Sequence, residues 1–361
     1  MILNKWIVFA LAVLIFATGT GRSCTTFFLH RNGQKIFGKN YDWHLGSGMI
    51  IINQRGVFKK GLHGMGTDPV EYASWTSTYG SVTFNQYGRE MPTGGMNEAG
   101  LVVHLMALYK TGYPKPDKRN PIKDLQWIQY QLDNFDTVEQ VIQSNADIRI
   151  LYNDVPGLHF LVADRRGNCA AIEWLNGRLV YHASETLPYK VLANNTYSDS
   201  LRYLERHQGY GGTLEIDNSR FSLDRFVRAA DMLTKYRGRS AKQGIEYAFD
   251  LLRQVAQAST QWRIVYDLES REVHFKTLSN PHRRSVRLTD FDFSCRGPVK
   301  VIDIHSGTAG RITRHDFSDY TREQNEKTII KAMTNTAFIS DVPAEHIWRR
   351  IIYPETTVCD P

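Results

Sequence analysis

The chain has 361 residues, 42% of them hydrophobic and 22% charged, which is globular composition and sets aside disordered and collagen-like classes. Its 44 Lys and Arg against 37 Asp and Glu leave a net charge of +7 spread along the chain, too mild to call for nucleic acid. The four cysteines show no C-x-x-C and the 12 histidines no H-x-x-x-H or H-E-x-x-H pair, so neither a metal nor a cofactor is expected.

Residues 1–20 have the make-up of an export signal, with Lys5 before an apolar run at 6–17. Gly21 and Ser23 stand at −3 and −1 to Cys24, the small-x-small pattern that a signal peptidase accepts. The expectation is a leader over 1–23 and a single domain over 24–361, exported to a periplasmic or secreted location. No second apolar stretch is long enough to span a bilayer, so no membrane partner is expected after cleavage. Cleavage would put a thiol and a free α-amine on one residue, Cys24. An amine with a pKa of about 7.7–8.0 can serve as base to that thiol near neutral pH. Two other readings stand beside this one. Cys24 can be an ordinary cysteine of an exported domain, or the acylated anchor of a lipid-bound, non-catalytic binding protein, although Gly21-Arg22-Ser23 lacks the Leu that lipoprotein processing favours near −3.

Strand-forming residues at 25–29 and 35–38 flank Asn32-Gly33, a hairpin signal. That hairpin would return Lys39, Asp42 and Trp43 to the side of Cys24, where a cation favours a thiolate and a carboxylate can hold an amine. Residues 74–85 read as strand, 94–100 as a loop and 101–109 as strand. Gly46-Ser47-Gly48 reads as a plain turn. Leu125, Ile128, Gln129 and Leu132 have helical spacing, and Asp136-Thr137-Val138-Glu139 opens another helix. Strands at 158–163, 170–174 and 178–181 form a meander, and 189–194 is a further strand ending in Asn194-Asn195. Helices follow at 222–236, capped by Ser222, and at 241–258. A hairpin at 262–267 and 272–276 comes next, then a helix near 322–334. His282-Arg283-Arg284 with Arg287 reads as a solvated turn, Cys169 as a buried free thiol, and Cys295 with Cys359 as a disulfide tying down the tail. Strands in antiparallel sets with helices collected between them suggest an α+β fold of two packed sheets under helical layers.

Seven pieces in order resemble the choloylglycine hydrolase family of N-terminal-nucleophile (Ntn) hydrolases, which holds bile salt hydrolases and penicillin V acylases. They are Cys24-Thr25, the run from Phe37 to Trp43, the run from Trp75 to Val82, and Gly95-Met96-Asn97-Glu98-Ala99-Gly100-Leu101. Val191-Leu192-Ala193-Asn194, Asp224-Arg225-Phe226-Val227-Arg228-Ala229 and Ser259-Thr260-Gln261-Trp262-Arg263 complete the set. The resemblance implies a four-layer αββα sandwich that hydrolyses a linear non-peptide C–N amide. Cys24 would be the nucleophile, Asp42 the partner of its amine, Asn194 an oxyanion donor and Arg225 an organiser of the site. The chain departs from the family at Lys39, where Arg is usual, and at Ala107, a pocket position where the family has Asn, Tyr or Trp. Trp43 would line an apolar acyl pocket. The partner expected is a small acyl amide of the bile-salt, penicillin V or N-acyl homoserine lactone type, and a homo-oligomer is compatible with the sequence. The tail after Asn280 matches no part of that pattern.

Overall fold

The computed structural model describes residues 24–63, 71–151, 157–339 and 342–360, and the expected leader lies outside them. The nucleophile hairpin forms as its sequence directs. Strand Thr25–Arg31 pairs antiparallel with Gln34–Asp42, from Thr25 opposite Asn40 to Arg31 opposite Gln34. Asn32 and Gly33 close it with φ of 52° and 75°, the left-handed pair that a two-residue hairpin turn requires.

Among the described residues this hairpin lies in a seven-stranded sheet. Val191–Leu192 forms the edge beside Thr25–Arg31, while Thr260–Asp267, Glu272–Thr277, Arg284–Arg287 and Gly310–Arg311 extend the other side. A nine-stranded sheet faces it, with Val102–Ala107 between Pro92–Asn97 and Leu158–Ala163, then Cys169–Leu175 and Arg178–Ala183. The other arm of that sheet runs through Ser81–Asn85, Met49–Asn53, Lys300–Asp303 and Ser318–Asp319.

Alternation along each strand divides the cores. Val102, His104 and Met106 turn toward the facing sheet, where the His104 ring packs on Phe37 and Tyr266. Val103 and Leu105 turn outward onto a second core with Trp127, Ile128 and Leu132 of helix Asp124–Asn134. Helices Ser222–Lys235 and Ala241–Gln254 cover the outer face of the seven-stranded sheet. The result is the α+β, four-layer αββα arrangement. Each large apolar side chain so buried contributes about 1.5–3 kcal/mol.

Several local expectations change. Residues 92–97 are strand rather than loop, because Gly94 lies opposite His104 and a Cβ there would sit 2.0 Å from its Nδ1. Residues 74–85 are two strands: Ser74–Thr76 pairs with Val57–Lys60 in a small separate sheet, and Ser81–Asn85 joins the large one. The strand expected at 189–194 shrinks to Val191–Leu192. Phe221, not Ser222, is the N-cap residue of its helix. The basic group at 282–287 is no solvated turn: Arg284 is fully buried in a strand, donating to the Ile304 and Ser306 carbonyls. Cys169 is a buried free thiol, and Cys295 and Cys359 form the expected disulfide.

Helix Arg322–Thr334 has the bounds expected, and Ala344–Ile352 is a helix the sequence pattern left unmarked. Ile329, Met333, Ile351 and Tyr353 of this tail build a further apolar core with Leu62, Tyr87 and Met91 of the body.

Candidate active site

Cys24 heads the first strand at 5% exposure, and pairing on both sides decides its neighbours. Thr25 opposite Asn40 puts Tyr41 across from Cys24 on one side. On the other, Thr26 opposite Leu192 and Phe27 opposite Val191 set a register that reaches Asn194 two residues on, across from Cys24. A two-residue edge strand is enough to deliver that asparagine.

Lys39 shares the inner face with Thr26 and is fully buried. Its Nζ donates to the Leu105 carbonyl at 2.5 Å and is hydrogen-bonded to the Cys24 side chain. Burial pulls the ammonium below the usual lysine range, while Cys24 and Asp42 pull it back up. Asp42, also fully buried, takes the Thr260 hydroxyl on Oδ1 at 2.5 Å. Its Oδ2 accepts no hydrogen bond among the described residues. Desolvation pushes this carboxyl up to about 6 against the opposing pull of Arg225, Thr260, Lys39 and Arg263.

Arg225, in the first turn of helix Ser222–Lys235, cross-braces the site. It donates to the Cys24 carbonyl at 2.8 Å, to the Thr25 hydroxyl and to Asn194 Oδ1 at 2.9 Å. Burial lowers its pKa while Asp42 and Cys24 raise it, so the guanidinium lies in the field of both. Asn194 is thereby fixed in orientation. Its Oδ1 faces Arg225, its Nδ2 donates to the Ala107 carbonyl at 2.9 Å, and its backbone N–H donates to Ser222 Oγ at 2.8 Å. An amide nitrogen carries two hydrogens, so one Nδ2–H remains for another acceptor.

The structure therefore brings Cys24, Lys39, Asp42, Asn194, Arg225 and Ala107 together. Ala107 enters through its backbone, which no side-chain change removes. Trp43 follows Asp42 directly, half-buried, its ring tilted against His44 with centroids 4.8 Å apart and packed against both the inter-sheet core and the tail's core. Thr25, Tyr41, Ser222 and Thr260 complete the surroundings, and the sequence assigns none of them a role in the site. Small hydroxyls and a strand tyrosine carry no pattern that separates a site partner from ordinary core. Tyr41 donates to Gln86 Oε1 at 2.7 Å, and burial holds its hydroxyl well above the usual tyrosine range.

Residues 24–301 match the linear amide C–N hydrolases of the choloylglycine hydrolase family. A penicillin V acylase from Pectobacterium atrosepticum is 26% identical over 332 residues, covering 80% of this chain and 87% of that one. A penicillin V acylase structure from Agrobacterium tumefaciens superposes with a TM-score of 0.71 at 26% identity, over 82% of this chain and 98% of that one. A conjugated bile acid hydrolase from Clostridium perfringens shares the fold, with a TM-score of 0.64 at 19% identity over 80% and 99% of the two chains.

Proposed function

Since the chain belongs to the choloylglycine hydrolase family of linear amide C–N hydrolases, we propose that it acts as an exported N-terminal-nucleophile enzyme whose catalytic thiol is Cys24. One observation carries this reading. Among the described residues Asp42 Oδ2 is buried without a donor, in a site where Arg225 senses both Asp42 and Cys24. Removal of residues 1–23 would turn the Cys24 amide nitrogen into an ammonium, the donor such a carboxylate lacks. The family match also begins at Cys24.

In this mechanism the Cys24 α-amine takes the proton of its own thiol as Sγ, beside Lys39, attacks the acyl carbon of the substrate. The carbonyl oxygen becomes an oxyanion that accepts the remaining Asn194 Nδ2–H. The C–N bond breaks, and the leaving amine takes the proton carried by the Cys24 α-amine. Water, deprotonated by that amine, then opens the thioester and releases the acid. Lys39 supplies charge as a single ammonium, without the planar fork of an arginine.

The substrate proposed is an amide of an apolar acyl group, with phenoxyacetyl amides first because the 26%-identical relatives are penicillin V acylases. Bile-acid amides and N-acyl homoserine lactones follow. Trp43 supports the apolar half, and small Ala107 leaves room where the family carries a larger side chain.

The test compares mature protein starting at Cys24 with a form carrying one uncleaved alanine before it, on a panel of these amides. The extended form should fold and lose nearly all activity, because its Cys24 nitrogen is an amide with no basicity. Asn194→Ala should lower kcat by about 10²–10³-fold and Asn195→Ala far less. Equal activity of the extended and mature forms would end the N-terminal-nucleophile reading, and an intact mass with a lipid adduct on Cys24 would favour the anchored binding protein.

A further inference from the structure

His159 and Glu173 lie in neighbouring regions of the nine-stranded sheet, both at 0% exposure and both on its inward face. His159 Nδ1 is 3.0 Å from Glu173 Oε1, and His159 Nε2 is 2.8 Å from the Ala193 carbonyl. Glu173 Oε1 also accepts the Tyr197 backbone N–H at 3.0 Å. A carbonyl only accepts, so Nε2 must carry a hydrogen. Glu173 Oε1 meets Nδ1 of the ring and the Tyr197 backbone N–H together. The ring is thus held at both nitrogens, with Nε2–H aimed at the Ala193 carbonyl.

This pair grips the chain on both sides of Asn194. The peptide that joins Ala193 to Asn194 is held at its carbonyl by His159 and at its N–H by Ser222 Oγ. Four residues on, Glu173 holds Tyr197 at the first turn of helix Tyr197–Leu204. The edge strand that delivers Asn194 is two residues long and cannot set its height above the sheet unaided. We propose that His159, anchored by Glu173, is a positioning residue for the oxyanion donor: its Nε2–H fixes the Ala193 carbonyl and thereby the place of Asn194. The proposal rests on the oxyanion role assigned to Asn194 above.

Two substitutions separate this role from mere filling of space. His159→Gln keeps an N–H near the Nε2 position and can still reach the Ala193 carbonyl, while His159→Asn keeps a donor near Nδ1 and leaves that carbonyl bare. His159→Asn should lower kcat roughly 10–100-fold with little change in KM, the scale of a misplaced catalytic group. His159→Gln should recover most of the loss. Combined with Asn194→Ala, neither should cost anything further, because the group they position is gone. Equal losses for the two variants, or a double variant whose losses multiply, would overturn the proposal. If Asn194→Ala alone leaves kcat unchanged, the oxyanion reading itself falls, whatever His159 does. If either His159 variant fails to fold, nitrogen-15 NMR of the unaltered mature enzyme decides. A protonated Nε2 on His159 supports the contact as drawn, and a bare Nε2 in the unaltered enzyme refutes it.

Discussion

Two side chains at the site are held against their own solvation. Lys39 has no exposed surface, and its ammonium is kept by one carbonyl, the Cys24 thiol and the field of Asp42. Among the described residues Asp42 has one satisfied oxygen and one bare one, with its carboxyl pushed up to about 6 by burial while the Ser23–Cys24 peptide is intact. A carboxyl raised in the folded state binds its proton more tightly than the unfolded chain does. Its contribution to stability is therefore complete below about pH 4 and is lost as pH rises through about 6. A free α-ammonium would pull Asp42 back down and remove that loss. The alanine-extended protein should accordingly lose stability between pH 4 and 7 relative to the mature form, by at most about 3 kcal/mol. Denaturant midpoints of the two forms across that range measure the difference. Asp133, also raised to about 6, is common to both and cancels. Parallel curves would show that the amine and Asp42 do not meet.

Strands and helices with one dominant period were legible from the chain, and so were most of the catalytic candidates. The first hairpin was written by Asn32-Gly33, and it alone brings Lys39 and Asp42 back to Cys24. Asn194 was legible only through family likeness, because a two-residue edge strand leaves no periodic trace. His159 and Glu173 escaped notice for a different reason. Each is a lone polar residue in an apolar strand, and what marks it is parity: Leu161 and Ala171, two positions away, face the same core. Gly94 misled because glycine pairs usually punctuate loops. Here the missing Cβ makes room for the His104 ring inside a continuous strand. Gly94→Ala should force that ring aside and lower stability by about 1–3 kcal/mol, the ordinary cost of overpacking a filled core. Unfolding in urea would measure it, and an unchanged midpoint would mean that the ring moves freely.

At the scale of the whole molecule, the tail beyond the family match closes on the body. The backbone N–H of Arg89 donates to Asn325 Oδ1 at 2.8 Å, His44 Nε2 meets the Asn335 carbonyl at 2.8 Å, and the Tyr353 hydroxyl donates to the Lys60 carbonyl at 2.7 Å. Trp43 packs on the same core, so the segment after Asp42 is backed by residues beyond the family match. The Cys295–Cys359 disulfide holds that backing in place, with 64 residues of sequence separation. Closing a loop of that length stabilises by about 4 kcal/mol when its effect falls on the unfolded chain. Reduction, or Cys359→Ser, should lower the unfolding temperature and raise KM for apolar acyl amides more than it lowers kcat. An unchanged KM would show that Trp43 stands without the tail.

The same bond has a topological consequence. One of its cysteines lies within the family-matched part of the chain and the other 64 residues further on, so residues 295–359 form a covalent ring sewn to the body. A single peptide-bond cut anywhere in that ring opens a backbone but releases no fragment. The appendage can fray, be nicked and re-dock on the same molecule, and its departure takes two chemically different events instead of one.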